Sequence, residues 1–443
     1  MKTLICLFIL FLKFNAYACI IYNAANKPST TKSDPLYELL QLTNTCPKDV
    51  IELRNLLKSE QAHFVTTMVA NRGFHNPTRG SFSFFEMVEI TNPIRLSHPV
   101  QKNELFFGHF TAPGTNNTLE LDQNPLNSSL MIELIAWDEK NSVYNLYELI
   151  GSETGSTWFY RGSSEDIWND TTKLHRTRTA EENVFGERLR CSCCHIAGGP
   201  IMKEIKEPHD SWWKSTRPLP LGGKTPDLFM QNVMQSLQDP NTLQEQTNSG
   251  INKLLAGKSF KNKQSQSPQI ALRPLFCPEE INLETSFLPL DDPENKITVP
   301  TGFFLDERLE ASSPMQLSTT KEFYKKALRK LNSTFPETNR IDGDHAWNAP
   351  VKANSDKISI EKLIEQGIID EEFMTNILAI DMTRPVLSQK RCGLLKLLPN
   401  KWSTEWKENF EKNLAQSVLP EAKELLLNLT DGKSHKEFHK QRA

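Results

Sequence analysis

The sequence is short of the features that announce a function at first sight. Its 443 residues carry 51 Lys and Arg against 54 Asp and Glu, a formal net charge of −3. No broad basic field is therefore present to recruit nucleic acid or anionic lipid. Lysine clusters at 258–263 and 325–330 are local and read as solvated faces. Beyond residues 4–12 no stretch is apolar for long enough to cross a bilayer, which takes about 20 residues. There is no internal repeat and no second Cys-x-x-Cys to complete a zinc site. A composition of 38% hydrophobic and 24% charged residues excludes a disordered chain, and the length exceeds what one core usually serves.

What is present begins at the N-terminus. Met1-Lys2, the apolar run 4–12 and then Ala16-Tyr17-Ala18 have the order of a secretory signal: basic start, short apolar core, small-x-small ending. Export to the periplasm of a Gram-negative bacterium is the expectation, with residues 1–18 removed. Cys19 comes directly after the cleavage point, where bacterial lipoproteins carry their lipidated cysteine. Tyr17 fits that signal poorly. A membrane partner is thus expected only if Cys19 is lipidated.

Eight cysteines are present: Cys6, Cys19, Cys46, Cys191, Cys193, Cys194, Cys277 and Cys392. Export places those of the mature chain where disulfides persist. Cys19–Cys46 with Cys277–Cys392 is one of the three pairings that four cysteines allow. Cys193 is left as a free thiol.

Patterning along the chain predicts an α+β, multidomain protein. Residues 19–59 form a short helical lead-in. Residues 60–165 form an antiparallel β domain, with a hairpin at 63–69 and 81–88 around the turn Asn76-Pro77-Thr78-Arg79-Gly80, and further strands near 105–110, 130–137, 143–150 and 157–160. Residues 166–245 surround the cysteine cluster and are helical. Residues 246–443 are mainly helical, with helices at 320–331, 360–366, 371–378 and 402–429, and a polar linker is expected over 238–268.

The chemistry concentrates in Cys191-Ser192-Cys193-Cys194-His195. Two thiols three residues apart lie on one side of a helical turn. There each can add across one vinyl group of a porphyrin, while the next imidazole points at the iron. A redox dithiol is the alternative, but it would come after a strand in a βαβ unit, and residues 184–190 read as helical.

With Ile196-Ala197-Gly198-Gly199-Pro200 after it, this segment resembles the attachment site of c-type cytochromes. The resemblance covers roughly residues 180–240 and implies one covalent haem c, a mainly helical cytochrome c-like region over 166–245, and His195 as proximal iron ligand. It also implies that a Pro carbonyl, here that of Pro200, orients the imidazole. For the distal side the candidates are Met202, with Met230 as the alternative; Met234, Met315, His209 and His345 are further from the pattern.

Other clusters carry weaker signals. Pro208-His209-Asp210-Ser211-Trp212-Trp213 can pack a macrocycle or fill a core. Asp342-Gly343-Asp344 lacks the twelve-residue calcium loop and reads as a capped turn. Arg384 or Arg391 could pair with a haem propionate. The functional expectation is an electron carrier with an unidentified redox partner protein. The alternatives are a peroxidase-like haem oxidoreductase, disfavoured by the single attachment motif, and a haem-based ligand sensor.

Overall fold

The computed structural model describes residues 19–23, 25–70, 82–113, 117–168, 195, 198–200, 221, 223–265, 267–277, 280–283, 349–352, 354–381 and 388–431. Its centre is a sheet of nine strands: β1 (Ile21–Tyr22), β2 (His63–Ala70), β3 (Phe82–Glu89), β4 (Leu105–Pro113), β5 (Thr118–Leu121), β6 (Met131–Asp138), β7 (Val143–Ser152), β8 (Gly155–Ser163) and β9 (Thr225–Pro226). The main path runs β1-β8-β7-β6-β4-β3-β2, and β5 branches from β4 to pair with β9. Alternation sorts the side chains. Phe84, Phe107, Leu134, Tyr147 and Leu149 line one face, and Met87, Phe106, Ile135, Tyr144 and Leu146 line the other.

The expected hairpin is the antiparallel pair β2–β3, from His63↔Glu89 to Ala70↔Phe82. The sheet is mixed rather than purely antiparallel, because the two-residue strands β1 and β9 join β8 and β5 in parallel. Both are too short to carry a period in the sequence, and they extend the sheet beyond 60–165.

The first face is covered by α1 (Pro35–Gln41) and α2 (Val50–Lys58), the two helices expected in the lead-in. Asp34 and Asp49 cap them, accepting the backbone N–H of Tyr37 at 2.9 Å and of Glu52 at 2.8 Å, contacts worth about 1 kcal/mol each. Leu36, Leu39, Leu40, Val50, Leu53 and Leu57 then enter the core beneath.

Asp34 also ties α1 to the sheet. Its second oxygen accepts from Tyr147 Oη at 2.5 Å and Asn145 Nδ2 at 2.8 Å, and the carboxyl is fully buried. Burial pushes its pKa up to about 6, against the pull of those hydrogen bonds. Since the native state holds this proton more tightly than the unfolded chain, the Asp34 contribution to stability is full below pH 3.8 and is lost as pH rises through about 6. The span corresponds to a loss on the order of 3 kcal/mol. Asp34→Asn should flatten that slope, read as the difference in urea midpoint between wild type and variant at pH 4 and pH 6.5.

After β9 come α4 (Leu228–Met234), α5 (Asn241–Ala256), α6 (Lys258–Gln264) and α7 (Pro268–Phe276). Most of the stretch 238–268, expected as a linker, is therefore helical. Leu243, Thr247, Gly250, Ile251, Leu254 and Leu255 are buried at spacings of 4, 3, 1, 3 and 1, which place them on one side of α5. The Gln, Asn and Ser content of the outer side conceals that stripe. The buried side of α5 packs on the second face of the sheet.

The C-terminal part is a helical unit with its own core. It comprises α7, α8 (Asn354–Glu365), α9 (Glu371–Leu378), α10 (Gln389–Leu394), a 3-10 turn (Leu395–Leu397), α11 (Trp406–Gln416) and α12 (Pro420–Asp431). The single helix expected over 402–429 is two helices, broken at Ser417–Leu419 where Pro420 opens the next. A two-stranded sheet, β10 (Glu280–Leu283) with β11 (Ala349–Lys352), was not expected from the pattern. The helix expected at 320–331 and the Asp342-Gly343-Asp344 turn lie outside the described residues, as do Arg384, Met315, His345 and Trp212–Trp213.

Disulfides join Cys19 to Cys46 and Cys277 to Cys392. Among the described residues no helix is long and apolar enough to cross a membrane.

Candidate functional site

The site is built on the turn immediately C-terminal to the cysteine pair. Cys191 and Cys194 lie outside the described residues, as does Met202; His195, Gly198, Gly199 and Pro200 are described. The N–H of Gly198 donates to the His195 carbonyl at 2.7 Å, closing a tight turn. Gly198 takes φ +81°, a region where side chains are strained. His195 is half-buried, and Gly198, Gly199 and Pro200 are buried.

The decisive contact is inside this turn. His195 Nδ1 lies 2.8 Å from the carbonyl oxygen of Gly199. A carbonyl can only accept, so Nδ1 carries the proton. In the neutral ring that leaves the lone pair on Nε2, the nitrogen a metal would take. The acceptor is one residue ahead of Pro200, whose carbonyl the sequence suggested. Two glycines let the backbone turn back far enough for the Gly199 carbonyl to reach the ring first.

Two elements hold the turn. From the sheet, Ser164 begins α3 (Ser164–Trp168) directly after β8. Its hydroxyl donates to the Gly198 carbonyl at 2.6 Å and accepts the Tyr144 N–H at 2.8 Å. From the other side α5 closes in. A Cβ on Gly199 would stand 2.9 Å from Leu254 Cδ2 and 3.0 Å from Ile251 Cδ1. One on Gly250 would stand 2.7 Å from Pro200 Cγ and 2.6 Å from Tyr144 Oη. The histidine is thus presented from a packed corner between the sheet and α5.

His209 lies outside the described residues, and the described candidates Met230, Met234 and Arg391 sit elsewhere. Met230 is fully buried in the cluster on the α1–α2 face, with its N–H on the Asp227 cap at 2.9 Å. The His195 turn packs against Tyr144, Leu254 and Ile251, on the opposite face of the sheet. Met234 is partly buried against the same cluster. Arg391 is fully buried in the C-terminal helical unit and donates to the Ile380 carbonyl at 3.1 Å. Burial lowers its pKa to about 10.

Two buried ionic groups in the sheet were not visible in the sequence. Glu86 accepts from Arg54 and sits 2.8 Å from His109 Nε2, with His109 stacked between Phe84 and Phe107. On the opposite face Arg161 donates to Glu148 at 2.5 Å, close to a bulge between β7 and β8. Strand alternation marks Glu86, His109 and Glu148 as one side of their strands, and only the tertiary packing of both faces makes that side interior. Among the described residues no three His, Cys, Asp or Glu side chains converge as a metal site.

No known family model, curated protein or solved structure matches the chain.

Proposed function

We propose that the chain is an exported c-type cytochrome that holds one haem covalently through Cys191 and Cys194, with His195 as proximal ligand. In this reading the haem-bearing segment over 166–245 comes after the β domain and precedes the helical C-terminal part. The observation that carries it is the 2.8 Å contact from His195 Nδ1 to the Gly199 carbonyl. The imidazole that the Cys-x-x-Cys-His spacing singles out is also the one whose tautomer suits iron ligation. A hydrogen bond at Nδ1 is the usual companion of a metal-binding histidine, fixing the ring and raising its basicity.

When bound, the haem supplies one-electron chemistry. The chain's residues have separable tasks. Cys191 and Cys194 would hold the group, each through a thioether formed by addition of S–H across a vinyl group, with no leaving group. His195 would offer its Nε2 lone pair, and the Gly199 carbonyl keeps the Nδ1 proton in place. Met202, two residues past the buried Pro200, is the distal candidate in this reading.

The disulfides support export, since such bonds persist in oxidising compartments. The Cys19–Cys46 bond also favours ordinary signal cleavage over lipidation, because a sulfur in a disulfide carries no lipid thioether.

Electron transfer, rather than chemistry on a small molecule, requires a closed sixth position. The visible spectrum of the reduced protein should therefore be unchanged under carbon monoxide. A shifted Soret band would mean an open iron and would favour a peroxidase-like or sensing role.

A further inference from the structure

We infer that Ser164 is a positioning residue for His195, so that the end of strand β8 sets the strength of this imidazole as a ligand. The consequence for a metal rests on the haem reading above; the consequence for the imidazole tautomer does not.

The chain of contacts is short and directional. Ser164 is fully buried. Its one hydroxyl proton goes to the Gly198 carbonyl at 2.6 Å, with the Tyr144 carbonyl at 3.3 Å the weaker alternative, and its lone pair takes the Tyr144 N–H at 2.8 Å. The next link is the Gly198 N–H, bound to the His195 carbonyl at 2.7 Å. The peptide plane after Gly198 is thereby fixed to Ser164, and the one before it is held within the turn. On the far side Pro200 rests against Gly250, where no Cβ fits. Between these two anchors the Gly199 carbonyl has one direction left, toward His195 Nδ1.

A bulkier or less constrained turn would let that carbonyl swing to other donors. The imidazole would then lose the partner that holds its proton on Nδ1. Outer partners of this kind typically change metal affinity by about 10–100-fold when removed. A purely structural role for Ser164 is the competing explanation, because a buried hydroxyl between two backbone groups satisfies them whatever lies beyond.

The test uses the full-length, haem-matured protein. Ser164→Ala should weaken the bond at Nδ1, make His195 a poorer donor to the ferric state and raise the midpoint potential. The His195 Nδ1 proton should exchange with solvent at least about tenfold faster, in keeping with the loss of its anchored acceptor. Tyr147→Phe is the control. It removes a buried hydrogen bond to Asp34 on the opposite face and should lower the melting temperature without moving the potential. If Ser164→Ala does not mature, Gly199→Ala reaches the same hydrogen bond from the α5 side and should shift the potential in the same direction.

Ser164→Ala behaving like Tyr147→Phe, with lowered melting temperature, wild-type potential and wild-type Nδ1 exchange, would overturn the proposal. Should the wild-type chain hold no haem, the functional reading fails separately. The ring-nitrogen NMR signals of His195 then decide the positioning role alone. A proton on Nδ1 in wild type that is lost in Ser164→Ala upholds it, and an unchanged tautomer refutes it.

Discussion

Replacing Cys191 and Cys194 together by Ala should leave any haem extractable into acidified organic solvent, where the wild-type chain retains all of it. The expected loss is complete because in the proposed reading two thioethers would be the covalent links, and noncovalent contacts do not survive denaturing acid. Cys193→Ser is the matched control. Cys193 occupies a variable position of the motif, so covalent haem should stay at the wild-type level. His195→Ala separates attachment from ligation: the thioethers can form, but the native low-spin spectrum should vanish. Covalent haem on the double alanine variant would refute the assignment.

The second large effect concerns stability. Arg54→Ala should cost about 3–5 kcal/mol, the usual result of removing one partner from a buried ion pair. Arg54 is only 12% exposed and bonds Glu86, whose side chain is wholly buried with His109 on its other oxygen. The guanidinium also lies 4.2 Å over the Phe64 ring, so the truncation removes packing as well as charge. Burial alone would raise the Glu86 pKa, but the His109 hydrogen bond and the Arg54 charge outweigh it and hold the carboxyl below its ordinary value. The unfolded chain therefore takes up this proton first as pH falls. The stabilisation is complete above pH 4.5 and is lost as pH drops through the lower native value. Urea unfolding at pH 7 measures the cost, and a loss under about 1 kcal/mol would place the group in the range of a solvated surface pair.

These two predictions test parts of the molecule that differed in how plainly the sequence displayed them. The Cys-x-x-Cys-His motif is local. Five consecutive residues suffice, and its reading does not depend on the fold. The strands were legible for a related reason: runs such as Phe82–Glu89 and Met131–Asp138 are rich in β-branched and aromatic residues that fit a pleated surface.

Helix α5 was not, because its apolar stripe is interrupted by Thr247 and Gly250, and glycine at that point reads as a break. The structure gives Gly250 a packing reason, the close approach of Pro200 and Tyr144. Glu86 and His109 were hidden because alternation does not tell which side of a strand is covered, and α1 and α2 cover theirs here. Ser164 could not have been singled out at all. Its partner is 34 residues away, and nothing in a Ser-Ser pair before a short helix distinguishes a cap from a support for a distant turn.

The placement of the acceptor shows the same limit on a smaller scale. Gly198-Gly199-Pro200 announced a tight turn after the histidine, and the turn is there. Which carbonyl reaches Nδ1 depends on φ at Gly198 and on the pressure of Leu254 and Ile251 against Gly199, both set by packing. The corner between β8 and α5 thus belongs to the metal-binding proposal as much as the cysteines do, and the sheet is its scaffold.

The most direct measurement is a pyridine haemochrome spectrum on the full chain exported together with a cytochrome maturation system. One haem per chain is the expected result, with the absorption of a haem bound through two thioethers. A chain that folds and exports with no haem would contradict the cytochrome reading and would return Cys191, Cys193 and Cys194 to a thiol or metal site of another kind.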